Sequence, residues 1–237
     1  IAKENDIIIV EDNAHGLFGQ YKEKYLGTFG SFSTQSFHET KNITCGEGGA
    51  LFLNDIKYLE RAEIIFDKGT NRQNFLKKQV NKYSWVDFGS SYRLADLLAA
   101  FLYGQLENSE KVQKKREKIW LRYFLLLKRW AQENSVRLPF IPSNCISSYH
   151  MFYLIMPSKI SRNNLIIWLE KNRINSVFHY IPLHKSRMSK KYGWDNFECP
   201  ITIEISDRII RLPMFYSLKI KEVEYITKTI IEFEKFD

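Results

Sequence analysis

Short apolar runs in the first half of the chain predict the strands of a sheet. Residues 7–10 form an unbroken β-branched run, which favours a strand buried on both faces, as in a parallel sheet. Residues 30–37 and 50–53 predict two further strands. The polar, glycine-containing stretch 16–28 predicts a loop or a short hairpin. Together these patterns predict a mostly parallel sheet.

Apolar residues at helical spacing predict three helices, over residues 56–66, 93–106 and 108–132. The second helix has one apolar face, formed by Leu94, Leu97, Leu98, Phe101 and Leu102. The third has a core stripe, formed by Ile119, Tyr123, Leu126, Leu127 and Trp130. Residues 67–92 have no clean period, and an irregular stretch of that length inside a compact domain is usually functional.

The C-terminal part of the chain alternates between strand and helix patterns, which predicts a small α+β domain. Strands are predicted at residues 149–156 and 176–180, and a helix at residues 202–210. Ser161 and Ser217 precede apolar stripes and are the predicted N-caps of two more helices. The last helix has a core stripe, formed by Ile220, Val223, Ile226 or Thr227, and Ile230.

Length and composition are those of an ordinary globular protein. The 237 residues suffice for one large or two modest domains, and we expect domains of residues 1–108 and 109–237. Hydrophobic residues make up 44% and charged residues 26%, which excludes a disordered chain. No apolar run approaches the length of a membrane span, and no secretory signal is visible. The three widely spaced cysteines form neither a zinc pattern nor a convincing disulfide framework, so we expect a reducing cytoplasm.

The net charge of +8 raises the question of a nucleic acid partner. Much of the excess lies in residues 111–118, KVQKKREK, inside a helical pattern. No nucleic-acid-binding motif accompanies this run, so a solvated helix face is the simpler interpretation. A basic cleft for a small, doubly negative ligand would account for the charge equally well, and we expect no nucleic acid partner.

Side chains suited to catalysis are concentrated between residues 11 and 50. Asp12 follows the first predicted strand, and the ligands of open α/β sheets lie outside the carboxyl ends of the strands. Ser36 lies near the end of the next strand, and Lys41 comes shortly after it. Taken singly, such residues are usually turn residues, polar groups on a sheet face or solvated charges. Only their combination and spacing indicate a site.

Three other kinds of site are excluded by spacing. The glycine turn at residues 46–49 lacks the pattern of a dinucleotide fingerprint or a P-loop. A zinc-protease motif that would begin at His38 fails because Asn42 stands where the second histidine is required. His179 and His184 do not fall on one helix face, so we expect no metal there.

In order and spacing, Asp12, His15, Ser36 and Lys41 resemble the cofactor site of the DegT-type sugar aminotransferases, which use pyridoxal phosphate (PLP). The run SFHETK and the GEGG turn after it carry the same resemblance, which extends over the whole chain. It implies an α/β protein of the fold-type-I aminotransferases, with a partial large domain and a small α+β C-terminal domain. Four stretches resemble the subgroup that makes dTDP-4-amino-4,6-dideoxygalactose: KGTNR at 68–72, KYSWVDFGSSY at 82–92, VFHYIPLH at 177–184 and RLPMFY at 211–216.

The resemblance implies a role for each matching residue. Lys41 supplies the primary amine that forms a Schiff base with PLP and then shuttles a proton. Asp12, the second catalytic residue, keeps the ring nitrogen protonated. His15 is placed near the ring face and its 3-hydroxyl, and Ser36 donates its hydroxyl to the phosphate. Ser91 stands where many relatives carry an Asn that contacts the neighbouring subunit's cofactor phosphate, and a hydroxyl can still donate there.

The implied reaction is transfer of an amine from L-glutamate to C4 of a 4-keto-6-deoxy sugar nucleotide, with dTDP-4-keto-6-deoxy-D-glucose as the expected substrate. The product would serve surface polysaccharide synthesis. Tyr180 and His184 are implied substrate contacts, although core or surface roles for them stay equally open. Lys41 favours a transaminase over the family's dehydratases, which carry His at that position. The resemblance also implies a homodimer with a shared active site.

Relative to the family pattern, we expect roughly the first third of a typical member to be absent from this chain. The family places there the turn that cradles the cofactor phosphate and an aromatic residue that packs on the ring. A non-catalytic remnant or an oligomerisation fragment is therefore the alternative hypothesis. A basic nucleic acid binder is a more distant third.

Overall fold

The computed structural model describes residues 1–234, which fall into two compact units. The first comprises residues 1–112 and 143–148, and the second comprises residues 113–142 and the chain from residue 149 onward. Each unit has a buried apolar cluster of its own. Across the described residues, no helix is both long enough and apolar enough to cross a membrane.

The first unit is built from short strands followed by helices. The strands are β1 (Val10–Asp12), β2 (Gln20–Tyr21), β3 (Lys24–Tyr25), β4 (Phe32–Ser36), β5 (Gly49–Leu53) and, later in the chain, β6 (Cys145–Ile146). The helices are α1 (Leu59–Phe66), α2 (Arg72–Leu76) and α3 (Asp96–Glu107), and α4 (Ser109–Glu133) begins at residue 109. A 3₁₀ turn, Ile56–Tyr58, leads into α1. The β2–β3 hairpin confirms the prediction for residues 16–28.

The sheet that carries the candidate residues has the strand order β1-β4-β5. β1 and β4 are parallel, with Asp12 beside Thr34. β4 and β5 are antiparallel, with Ser36 beside Gly49. The predicted parallel pairing is confirmed for β1 and β4, whereas the strand predicted at residues 50–53 joins in the opposite direction.

Residues 7–10 have the pattern of a strand covered on both faces, but the elements that the structure describes do not cover them. Ile7, Ile8, Ile9 and Val10 are 59%, 53%, 45% and 61% exposed, and only the last belongs to β1. β1 lies at one edge of its sheet, so one side of the strand is unpaired. A β-branched run specifies an extended backbone, but it does not specify the neighbours that would bury it.

The core of the first unit is small. Four side chains are buried together: Phe37, Ile43, Cys45 and Val112. Three leucines of the predicted stripe pack against them: Leu94, Leu98 and Leu102. Leu97 and Phe101, predicted on the same face, are 81% and 57% exposed. Only part of the predicted apolar face is therefore covered within this unit.

The second unit has an antiparallel sheet with helices. Most of α4 belongs to it, with strands β7 (Phe152–Ile155), β8 (Val177–Phe178) and β9 (Ile209–Leu212). Its other helices are α5 (Lys159–Lys171), α6 (Arg187–Lys191), α7 (Pro200–Arg208) and α8 (Ile220–Ile231). The strand order is β7-β9-β8, and both pairings are antiparallel. The strands predicted at residues 149–156 and 176–180 are confirmed in shorter form.

Two helices supply the predicted stripes to the core of this unit. The predicted residues that are buried are Ile119, Tyr123, Leu127 and Trp130 in α4 and Val223, Ile226, Thr227 and Ile230 in α8. These positions are confirmed, whereas Leu126 and Ile220, predicted in the same stripes, are only half-buried. The buried hydroxyl of Tyr123 donates to the carbonyl of Pro213 at 3.0 Å, which satisfies a polar group that would otherwise be costly in an apolar core.

Three local predictions in the second unit are wrong. Ser158, not Ser161, is the N-cap of α5, and Ser161 completes a capping box as the third helical residue. Lys219, not Ser217, occupies the N-cap position of α8. The helix predicted at residues 202–210 ends at residue 208, and β9 begins at residue 209. The boundary is decided by the pairing of β9 with its neighbouring strands, which the local sequence does not reveal.

Candidate active site

Two of the predicted residues, Asp12 and Ser36, project from the same face of the sheet. Asp12 lies beside Thr34 in the parallel β1–β4 pair. Side chains alternate between faces along a strand, so Thr34 and Ser36 share a face. Burial follows the same alternation, since Ser33 and Gln35 are buried while their neighbours in β4 are more exposed. A carboxylate and a hydroxyl therefore face one side of the sheet at the ends of two adjacent strands.

Asp12 is the last residue of β1 and is exposed. Its Oδ1 accepts a hydrogen bond from the backbone N–H of Ala14 at 3.2 Å, which is the ordinary turn contact of an Asp after a strand. This bond occupies one carboxylate oxygen. A carboxylate has about four acceptor positions, so Asp12 retains the capacity to accept from a bound ligand.

The loop that carries Lys41 is anchored at both ends. The N–H of Cys45 donates to the carbonyl of Phe37 at 2.9 Å, and the N–H of Phe37 donates to the carbonyl of Gly48 at 2.8 Å. Directly after Lys41, the buried side chain of Asn42 donates to the carbonyl of Ser148 at 2.6 Å. These hydrogen bonds fix the backbone on both sides of Lys41.

The electrostatic environment of Lys41 suits an amine that reacts as a nucleophile. The residue is half-buried, and burial holds the pKa of its ammonium group below the ordinary lysine value. The carboxylate of Asp12 acts in the opposite direction and raises that pKa, though by less than burial lowers it. A lowered pKa increases the neutral, nucleophilic fraction of the amine at a given pH. The coupling also places the two predicted catalytic residues within electrostatic reach of each other.

Ser36 and His38 organise the entry to the Lys41 loop. The hydroxyl of Ser36 accepts weakly from the N–H of His38 at 3.4 Å, and its own proton stays available for donation. The His38 imidazole contacts the Thr40 hydroxyl at 3.0 Å and lies 3.5 Å from the Glu47 carboxylate. His38 thus links the turn before Lys41 to the glycine turn, a role that the sequence pattern did not indicate.

His15 and Ser91 have different surroundings. His15 follows β1 and is exposed, and its carbonyl accepts from the hydroxyl of Ser148 at 2.6 Å. Ser91 forms an isolated bridge with Asp67, whose buried carboxylate pairs with Arg72 and Arg93. These contacts tie Ser91 to the segment after α1, and they do not lead to the Lys41 loop.

A functional feature that the sequence did not indicate is the carboxylate of Glu11, the neighbour of Asp12. It accepts three backbone hydrogen bonds, from the N–H groups of Gly27 at 2.8 Å, Phe29 at 2.7 Å and Gly30 at 2.7 Å. Burial alone would raise the pKa of Glu11, but the three N–H donors together hold it below its ordinary value. Gly27 and Gly30 were the sequence feature that could have indicated this contact, because backbone without side chains can approach a carboxylate closely.

The second unit contains a cleft of about 500 Å³ that includes one predicted substrate residue, Tyr180. Its polar lining consists of Lys159, Arg162, Lys185, Ser206 and Asp207. Its apolar and aromatic lining consists of Phe178, Tyr180, Ile181, Pro182 and Ile203. The Arg162 guanidinium lies 5.8 Å from the centre of the Phe178 ring, and Lys159 pairs with the Asp207 carboxylate at 2.9 Å. His184, the other predicted contact, lies half-buried in the short 3₁₀ helix Leu183–Lys185 next to this cleft lining.

The sequence model of the DegT/DnrJ/EryC1/StrS aminotransferase family matches residues 1–231. The chain belongs to this family. GDP-perosamine synthase of Escherichia coli O157:H7 is 30% identical over 238 residues, which cover 98% of this chain and 60% of that protein. A DegT/DnrJ/EryC1/StrS aminotransferase structure from Brucella abortus has a TM-score of 0.81 and 26% identity, covering 97% of this chain and 58% of the other.

Spr1654 of Streptococcus pneumoniae, solved in its PLP form, has a TM-score of 0.79 and 26% identity, covering 94% of this chain and 56% of the other. The chain thus spans about three fifths of the length of these relatives. DegT/DnrJ/EryC1/StrS aminotransferases use PLP, and the fold is the one that PLP-dependent aminotransferases share.

The residues of the first unit fit PLP. The cofactor needs an amine that can become neutral, and the pKa of Lys41 is lowered by burial. It needs a carboxylate for its ring nitrogen, and Asp12 is exposed on the same face of the sheet as Ser36. It needs donors for its phosphate, and the Ser36 hydroxyl is a candidate. These three side chains therefore fit the amine, the carboxylate and one of the phosphate donors that PLP requires.

Proposed function

We propose that the natural protein containing these 237 residues transfers an amine from L-glutamate to C4 of a 4-keto-6-deoxy sugar nucleotide, with PLP as cofactor. The observation that carries the proposal is that the carboxylate of Asp12 acts on the pKa of the half-buried amine of Lys41. The hydroxyl of Ser36 lies on the same face of the sheet as Asp12. Membership of an aminotransferase family supports the reaction class.

When bound, PLP supplies the electron sink that makes removal of a proton from the amine-bearing carbon feasible. Asp12 would accept from the ring N–H and keep that nitrogen charged. Lys41 would hold the cofactor and move the proton at the substrate carbon. Ser36 would donate to the phosphate, and His15 would contact the ring. Ser91 would donate to the phosphate held by a second copy of the chain.

The substrate proposed in particular is dTDP-4-keto-6-deoxy-D-glucose, converted to dTDP-4-amino-4,6-dideoxygalactose for surface polysaccharide synthesis. The stretch VFHYIPLH, which includes Tyr180 and His184, supports this assignment by its resemblance to that subgroup. The cleft beside Tyr180 supports it by charge, because Arg162 and Lys185 would stabilise a pyrophosphate, whereas Lys159 already pairs with Asp207. The aromatic rings there would stack on a base.

We also propose that the protein acts as a homodimer. In the stretch 83–92, Trp85, Phe88 and Tyr92 are 75%, 82% and 64% exposed. Exposed aromatic residues in one segment are typical of a protein interface. Trp85→Ser with Phe88→Ser should lower the mass measured by light scattering to that of one chain, whereas Leu125→Ser, an equally apolar exposed change on α4, should leave it unchanged. An unchanged mass in the double variant would contradict this assembly.

The test of the reaction uses the natural protein with added PLP, ¹⁵N-labelled glutamate and the dTDP-, UDP- and GDP-linked 4-keto-6-deoxy sugars. Mass spectrometry should detect ¹⁵N in the sugar product, with the highest kcat/KM for the dTDP sugar. Lys41→Ala should abolish the product, and Lys128→Ala, an exposed lysine on α4, should not. A preference for another nucleotide would overturn the substrate assignment. No labelled sugar from any of the three would favour the non-catalytic alternative.

A further inference from the structure

The carboxylate of Glu11 is enclosed by the backbone of one loop. Its three N–H donors come from residues 27–30, at 2.7–2.8 Å. The carbonyls of the same loop are held as well, since the side-chain amide of Asn54 donates to Gly27 and Gly30, both at 2.9 Å. Charge-assisted bonds of this length are about twice as strong as neutral ones. Glu11 therefore holds the N–H groups of the loop, and Asn54 holds its carbonyl groups.

The loop lies too close to its neighbours for side chains at its glycines. A Cβ at Gly27 would lie 2.7 Å from the hydroxyl of Ser33 in β4, and Gly27 has a φ of +92°. A Cβ at Gly30 would lie 2.5 Å from the carbonyl of Ile9, the residue just before β1. The loop thus packs closely against β4 and the start of β1, and the Glu11 carboxylate is the charged group that accepts its N–H donors.

Glu11 and Asp12 project from opposite faces of the strand. Glu11 lies beside Ser33 and Asp12 beside Thr34 in the β1–β4 pair, and consecutive strand residues point to opposite sides. β1 has only three residues and lies at a sheet edge. Asn13, directly after Asp12, is held to the carbonyls of Thr34 and Leu26. On the face opposite Asp12, the strand is held by the three hydrogen bonds of the Glu11 carboxylate.

We propose that Glu11 is a positioning residue, whose carboxylate fastens the loop 27–30 beneath β1 and thereby holds Asp12 where it interacts with Lys41. The idea rests on the proposed pairing of Asp12 and Lys41, but not on the choice of substrate. Nor does it require bound PLP, since the interaction between the two side chains exists in the protein without ligand.

The test measures the pH dependence of Lys41 modification by an amine-reactive reagent in the natural protein freed of PLP, quantified peptide by peptide. Glu11→Asp keeps the charge but shortens the reach to the three donors. Glu11→Gln keeps the shape but places an amide donor against backbone donors. Because Asp12 raises the pKa of Lys41, both variants should move the modification midpoint to lower pH, in the direction of Asp12→Asn. Glu60→Gln, which removes an exposed charge on α1, should not move it.

A double variant separates positioning from simple stabilisation. In the Asp12→Asn background, Glu11→Asp should cause no further change in the Lys41 midpoint, because the group through which Glu11 acts is gone. A folded Glu11→Asp protein with a lower Tm but the parent's Lys41 midpoint would overturn the proposal. An equal shift with and without Asp12 would overturn it too. If the midpoint fails to respond even to Asp12→Asn, the pairing of Asp12 with Lys41 in the proposed function fails, and the role of Glu11 fails with it.

Discussion

The residue with the most demanding proposed role is Asp12, because its charge would have to act on a ring nitrogen. Asp12→Asn keeps the size of the side chain and removes the charge. The natural protein should still bind PLP, but the half-reaction with glutamate should slow by roughly 10²- to 10⁴-fold, the range typical of groups that serve a proton transfer. Stopped-flow absorbance measures this rate. A near-normal rate would remove Asp12 from the mechanism.

Glu11 gives the structure a pH dependence whose sign follows from its hydrogen bonds. Its pKa is held below the ordinary value of 4.5, so it contributes stability that is fully present above that value. This contribution is lost as the pH falls through the lower pKa of the folded state. Urea unfolding at several pH values should show Glu11→Gln least stable relative to the parent near neutrality, with the difference shrinking in acid. A difference that grows in acid would contradict this assignment.

At the scale of single residues, order and spacing were enough to nominate Asp12, Ser36 and Lys41, and their catalytic and binding roles stay predictions. It was insufficient for Glu11, since an acid after a strand has many ordinary uses and its partners are backbone groups that no sequence pattern marks. Ser91 shows the converse case, since it matches a position in the family pattern but its backbone pairs with Asp67, away from the Lys41 loop.

At the scale of elements, the capping of α5 gives a direct test of the corrected boundary. The Ser158 hydroxyl accepts from the N–H of Ser161 at 3.0 Å, so Ser158→Ala should lower the free energy of unfolding by about 1 kcal/mol. Ser217→Ala, the matched change at the predicted but incorrect cap, should stay within about 0.5 kcal/mol of the parent. Denaturant unfolding measures both, and equal losses would contradict the assignment of caps.

Long helices were predicted well, whereas short elements whose structure depends on pairing with distant strands were predicted poorly. α4 and α8 carry apolar stripes over several turns, so their period is unambiguous and their buried residues were identified. β9 was predicted as the end of a helix, because Ile209 and Ile210 suit either structure. Its pairing with β7 and β8 makes it a strand, and these partners are distant in the sequence.

At the scale of the whole molecule, exposed apolar surface predicts how the 237 residues behave alone. Residues 7–10 are exposed at a sheet edge, and such strands associate. Expressed alone, the chain should aggregate and bind PLP poorly, since Ser36 is one phosphate donor where a backbone turn would supply several. Fusion to the N-terminal segment of a relative should restore a monodisperse, PLP-binding protein. If the 237 residues alone are monodisperse, bind PLP and are active, this prediction is wrong.

The central claim is that Lys41 is the amine on which the chemistry of this protein takes place. The most direct measurement is borohydride reduction of the natural protein loaded with PLP, followed by peptide mass spectrometry. The predicted result is a reduced cofactor attached to Lys41, at one equivalent per chain, and its absence from Lys41→Ala. Cofactor found on a different lysine, or retained in equal amount by the Lys41→Ala variant, would contradict the account.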